Sequence, residues 1–133
     1  DGEEKHEKAF CCFNAVARDY AKFGQLVLNK GNWNGKQLVS EKYIAEATAP
    51  ATSLKDRTEN DQPVDFYGYQ YWMVNHSGVH AIAQNGLFGQ YVFIIPAKNA
   101  VVVRLGESKV TTPIHHHQPE NFTFIDAALS VLK

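Results

Sequence analysis

The residues of this chain whose types and spacing could do chemistry lie in one run, Ala83-Gln84-Asn85-Gly86-Leu87-Phe88-Gly89-Gln90. The run sits between two strand-like segments and leads into the apolar stretch Tyr91-Val92-Phe93-Ile94-Ile95. Gly86 and Gly89 lack a Cβ, so the backbone there can take φ > 0 or pass close to a bound molecule. Gln84 and Asn85 set amide donors and acceptors beside them. Backbone N–H groups presented at such a corner are the material of an oxyanion hole. The same residues also make an ordinary strand connection, and local pattern does not separate the two.

Other reactive residue types have simpler readings. Cys11 and Cys12 are adjacent, which gives them no easy disulfide geometry, and between Phe10 and Phe13 they read as small buried hydrophobes. A thiol enzyme would need a histidine beside them, and no sequence feature places one there. His115-His116-His117 cannot all face one ion from an extended segment, because alternate side chains point to opposite sides, so a solvated loop is expected and no metal or other cofactor. Ser-x-x-Lys occurs only as Ser130-Val131-Leu132-Lys133, on the last turn of a terminal helix, where nothing would activate the serine. Tyr-x-Asn and Lys-Thr-Gly do not occur.

The elements that must position the corner follow from hydrophobic spacing. With 133 residues, 44% of them apolar and 20% charged, the chain fits one globular domain. A net charge of −1 without a basic stripe argues against nucleic acid. No apolar run approaches a bilayer span. From Asn14, read as an N-cap, the residues Val16, Tyr20, Phe23 and Val27 mark the buried face of an amphipathic helix. Turn chemistry in Gly31-Asn32-Trp33-Asn34-Gly35 ends it, and Ser40 caps a short second helix carrying Ile44 and Ala47, closed by Pro50. Residues 52–65 read as an exposed loop.

A first strand is expected over residues 67–74, with Tyr67, Tyr69 and Tyr71 on one face. Tyr67, Tyr69 and Trp72 either wall a cleft or pack a sheet face. A hairpin turn over residues 75–78 leads to a strand over 79–83. The glycine corner, a strand over 90–95, a turn over 96–99 and a strand over 100–105 complete an antiparallel meander. Phe122, Ile125, Leu129 and Leu132 then space out as the apolar face of a terminal helix. Helices bracketing an antiparallel sheet make an α+β fold.

Four segments carry a family resemblance. Asn14-Ala15-Val16-Ala17-Arg18-Asp19-Tyr20-Ala21-Lys22-Phe23-Gly24 resembles an "S-T-x-R-D-x-A-R-F-G" helix, and Gly31 to Ser40 resembles the "G-x-x-x-G-K-x-L-L-S" turn that follows it. Tyr67-Gly68-Tyr69-Gln70-Tyr71-Trp72 is similar to a "Y-G-Y-G-W" strand, and Gly86-Leu87-Phe88-Gly89-Gln90-Tyr91 to a "G-x-x-G-Q-x" corner preceding an edge strand. In this order they resemble the C-terminal portion of the serine hydrolase family of class C β-lactamases, penicillin-binding DD-peptidases, related esterases and aminohexanoate-oligomer hydrolases.

The resemblance implies a single partial domain over residues 1–133. In the family, a serine in Ser-x-x-Lys attacks a carbonyl and a Tyr-x-Asn tyrosine helps manage protons through an acyl-enzyme. By position, Gln84, Asn85 and Gly86 stand where the family has a Lys-Thr-Gly or His-x-Gly segment. The Leu87 N–H is then the catalytic oxyanion donor of this chain, and Asn14 a substrate contact as an alternative to its capping role. Gln84 is neutral where many members carry a cation, which argues against carboxylate-bearing β-lactams. The implied partners are the N-terminal half of the same domain and a small amide, ester or peptide substrate, and the implied location is periplasmic or exported. A catalytically inactive relative that binds a peptide or cell-wall fragment is the alternative, and a free-standing structural module a third reading.

Overall fold

The computed structural model describes residues 13–59, 61–108, 112–114 and 116–132. Cys11, Cys12, His115 and Lys133, the last residue of the Ser-x-x-Lys match, lie outside the described residues. Helix α1 (Ala17–Leu28) is followed by a two-stranded ribbon of β1 (Asn32–Trp33) and β2 (Lys36–Gln37), then by α2 (Glu41–Ala47). A 3-10 turn at Thr52–Leu54 precedes a second small ribbon, β3 (Thr58–Glu59) and β4 (Gln62–Pro63). The main sheet comprises β5 (Trp72–His76), β6 (Val79–Gly86), β7 (Gln90–Ile95) and β8 (Ala100–Arg104), before the closing helix α3 (Pro119–Val131). Its four strands run antiparallel in the order β5-β6-β7-β8. The expected α+β meander is therefore what forms.

Strict alternation sends side chains of this sheet to two cores. On one face Val74, Ala81, Ala83, Tyr91, Phe93 and Ile95 pack with Ile125 and Ala128 of α3. On the other, Ile82, Val92 and Ile94 pack with Val27 of α1 and Ile44 of α2. Burial on both faces explains why β7 reads as an unbroken apolar run. Because β7 lies between β6 and β8, the strand after the corner is interior, and the sheet's edges are β5 and β8.

Three expectations change at element boundaries. Helix α1 starts at Ala17 with Val16 as its N-cap and no side-chain cap, so Asn14 does not cap it. The Tyr20 hydroxyl donates to the Phe13 carbonyl and the two rings meet edge-on at 5.5 Å, holding the entry segment outside the helix. The buried stripe also turns away from Val16 and Phe23, which are 64% and 50% exposed, toward Gly24 and Val27. Residues 67–71 are a bend rather than a strand. Gly68 abuts the end of α2, where a Cβ would stand 2.3 Å from the Ala47 carbonyl oxygen, the Tyr69 N–H donates to that carbonyl, and Gln70 takes φ 66°. The hairpin turn expected over residues 75–78 is only Ser77-Gly78, with φ 49° and 76°, the left-handed pair that two-residue hairpins favour. The cap on α2 forms as expected, with the Ser40 hydroxyl accepting from the Tyr43 N–H at 3.2 Å.

One polar group sits badly in this core. Asn121 of α3 is fully buried, and neither its Oδ1 nor its Nδ2 has a partner among the described residues. Each such orphan costs about 1–3 kcal/mol.

Gly24 sets the helix–sheet distance. A Cβ there would lie 2.6 Å from Val101 Cγ1 and 3.0 Å from Val92 Cγ1, two stiff β-branched side chains. Alanine gains about 1 kcal/mol of helix propensity, but overpacking costs about 1–3 kcal/mol. Gly24→Ala is therefore expected to lower stability by about 1 kcal/mol net in urea unfolding, whereas an increase would show that α1 can shift away from β7 and β8.

Candidate active site at the β6–β7 corner

The corner is a continuation of strand β6. Residues 84–86 pair with β7 through Gln84↔Val92, Asn85↔Tyr91 and Gly86↔Gln90, so the turn proper is only Leu87-Phe88-Gly89. Phe88 and Gly89 have φ 58° and 83°. On its other side β6 loses its neighbour early, because the last pair with β5 is Trp72↔Ala83. Residues 84–86 therefore outrun β5, and no strand among the described residues pairs with that flank.

The direction of the peptide groups on that flank follows from one hydrogen bond. Met73 N–H donates to the Phe66 carbonyl at 2.8 Å, away from β6. Alternation then turns Trp72, Val74 and His76 toward β6, and their partners Ala83, Ala81 and Val79 toward β5. The peptide groups of Gln84 and Gly86 face β7, while those of Asn85 face the gap where β5 has ended. Leu87 N–H is the next group on that side and donates to no backbone carbonyl among the described residues. Leu87 itself is 75% exposed.

The side chains divide between the faces. Gln84 shares the α1 face with Val92 and lies near the Tyr71 hydroxyl, whose pKa burial pushes up. Asn85 shares the α3 face with Tyr91, and its Oδ1 is buried without a partner among the described residues. Sequence reasoning set both amides beside one ligand, and the pleat separates them. Gly86 faces Gln90, whose Cβ would stand 2.9 Å from a Cβ at this position. Asn14 is exposed on the segment leading to α1, and no hydrogen bond links its side chain to the corner.

The corner is held by a residue that sequence reasoning missed. Arg104, at the end of β8, donates from Nη1 to the carbonyls of Gly89 at 2.6 Å and Gly106 at 2.7 Å, and from Nη2 to that of Glu107 at 2.9 Å. Ser108 N–H donates to the Phe88 carbonyl at 2.9 Å. The Gln90 amide grips Gly106 from both sides, donating to its carbonyl and accepting from its N–H at 3.1 Å. A Cβ on Gly89 would collide with Ser108 and Arg104, so glycine is required there for contact as well as for φ. The available signal was Arg104 itself, a cation ending a valine-rich strand opposite Tyr91.

A serine, a histidine and an aspartate also meet elsewhere. Asp126 of α3 accepts from Ser77 Oγ at 2.6 Å and lies 2.9 Å from His76 Nε2. The carboxylate stands between the other two, so the imidazole cannot take the hydroxyl proton as a nucleophilic triad requires. This is a tie from the β5–β6 turn to α3. His116 stacks on Phe66 at 4.2 Å and its Nδ1 lies 3.5 Å from Glu59 Oε2. His117 is buried against Trp72 and Phe122. No group of three or more possible metal ligands occurs among the described residues. A cavity of about 250 Å³ lies along the outer edge of β5, lined by residues of 62–66, 73–75 and 116–122, and shares no residue with the corner.

Residues 13–121 match the Beta-lactamase family. The match covers most of the chain and includes the corner, and with the helix-flanked antiparallel sheet it settles the class: the chain belongs to the beta-lactamase family and its function is of the serine-hydrolase type. No helix among the described residues is long and apolar enough to cross a membrane.

Two outcomes test these ties. Arg104→Met should lower stability by about 2 kcal/mol, since charge-assisted bonds to carbonyls are lost, and should speed exchange of the Ser108 amide; unchanged exchange would show that Arg104 does not brace the turn. The hydrogen bond from His76, then that from Ser77, holds the Asp126 pKa below its usual 3.8. A carboxylate lowered in the folded state stabilises above its unfolded pKa and loses that contribution as pH falls through the folded value. Asp126→Asn should therefore flatten the acid limb of the stability profile below about pH 4, and an unaltered limb would contradict the tie.

Proposed function

We propose that this chain is the C-terminal part of a serine acyl hydrolase that works through an acyl-enzyme, and that residues 84–87 line the oxyanion side of its site. The observation that carries this reading is the overrun of β6 beyond β5, which leaves strand-edge N–H groups without a strand partner beside a glycine turn. Leu87 N–H supplies one hydrogen bond to the oxygen of the tetrahedral intermediate, and a preorganised donor of this kind contributes about 3 kcal/mol. Asn85 presents its peptide N–H and C=O on the same flank, where an extended acyl group can be aligned. The attacking serine, and the lysine and tyrosine that move its proton, belong to upstream polypeptide forming the other wall. That half-domain is this chain's principal partner, and the exported location common in the family is the compartment expected for it.

The site favours a neutral amide or ester. Gln84 carries no charge, and Arg104 Nη1 and Nη2 are turned to carbonyls, so no cation of the corner is offered to a substrate carboxylate. That neutrality also supports a second reading, a non-catalytic relative that holds a peptide or cell-wall fragment. The two part on the upstream sequence, which contains Ser-x-x-Lys and Tyr-x-Asn in the hydrolase and lacks them in the binder.

The direct test is Leu87→Pro in the protein joined to its upstream half, which deletes one N–H at a position where φ is not positive. Ester turnover is expected to fall by about a hundredfold in kcat with the fold retained by circular dichroism. Undiminished turnover in a folded variant would remove Leu87 from the mechanism.

A further inference from the structure

The cavity at the outer edge of β5 shares no residue with the corner, and nothing in the proposed reaction uses it. Its wall is built from Gln62 and Asp65 on one side, Asn75 of β5, and His116 and Phe122 on the other. At about 250 Å³ it is smaller than the roughly 300–1,000 Å³ of ordinary small-molecule sites, so a short ligand fits.

Charge decides which. Asp65 has no hydrogen bond or ion pair among the described residues, unlike Glu59, which is met by His116, and Asp126, which is met by His76 and Ser77. No lysine or arginine lines the cavity. The formal charge offered to a ligand is thus the Asp65 carboxylate, flanked by the apolar surfaces of Pro63, Phe66, Met73 and Phe122. The Asn75 carboxamide oxygen is already engaged, lying 2.7 Å from His80 Nδ1. A carboxylate set in an apolar wall matches a cation on a short hydrocarbon stem.

We propose that this cavity binds a primary alkylammonium group, with Asp65 as its counter-charge and the Phe66–Met73–Phe122 wall holding its alkyl chain. The group can arrive as a free amine or as a lysine side chain, and the chemistry recognised is the same.

The test is an NMR titration of the folded protein with n-butylammonium chloride, sodium butyrate, n-butanol and Nα-acetyl-lysine methylamide at constant ionic strength. Saturable shifts confined to residues 62–66, 73–75 and 116–122 are expected with the ammonium compounds. Binding of butylammonium alone identifies a small-amine site, and binding of both identifies one that also accepts lysine. Because Asp65 is exposed, Asp65→Asn should weaken binding only about fivefold, while Asp61→Asn, an equal charge change at a residue outside the cavity wall, should leave it unaltered. Absence of saturable shifts, butyrate or butanol binding as tightly as butylammonium, or equal effects of the two substitutions would overturn the proposal.

Discussion

The unequal length of two neighbouring strands governs this structure. β5 begins at Trp72 because the chain before it is bent and fastened to the end of α2. Gly68 lies against the Ala47 and Ala49 carbonyls, the Tyr69 N–H donates to that of Ala47, and Gln70 takes a left-handed turn. β6 has no such stop and continues beside β7 to Gly86. The flank left open at residues 84–87 is thus set by a short helix whose own start is fixed by the Ser40 cap. A strand edge is normally a liability in a soluble protein. Here it is short and ends in a braced turn.

Bracing and openness are complementary. Carbonyls of Phe88, Gly89 and Gly106 are all met by donors from the 104–108 segment or from Gln90, so these acceptors are satisfied within the protein. The turn's outward N–H groups on the β5 side have no such partner among the described residues. An oxyanion site requires this asymmetry, since donors must be fixed before the charge develops. Buried amides on the α3 face, Asn121 and the Oδ1 of Asn85, are further polar atoms that the described residues leave unmet. The Ser77–Asp126–His76 cluster, by contrast, is closed upon itself and anchors α3.

Much of the architecture was legible because it rests on local chemistry. The cap at Ser40, the hairpin glycine Gly78 and the apolar run of β7 from Tyr91 to Ile95 each have one reading. The errors arose where tertiary contact overrode pattern. Tyr67, Tyr69 and Tyr71 alternate like a strand, yet Gly68 between them is needed for contact with α2, which a single sequence does not display. Phe23 looks more buried than Gly24, but a close helix–sheet approach selects the smaller residue. At the corner the residue types were informative and their directions were not. Gln84 and Asn85 are neighbours in sequence and lie on opposite faces, and Arg104 reaches the turn from eighteen residues beyond Gly86.

Amide hydrogen exchange through residues 83–87 tests the central claim most directly. Gln84 and Gly86, whose N–H groups face β7, should be protected, while Asn85 and Leu87, facing the gap beyond β5, should exchange far faster. Protection of Asn85 and Leu87 equal to that of their neighbours would mean that the flank is closed, and the account of the site would fail with it.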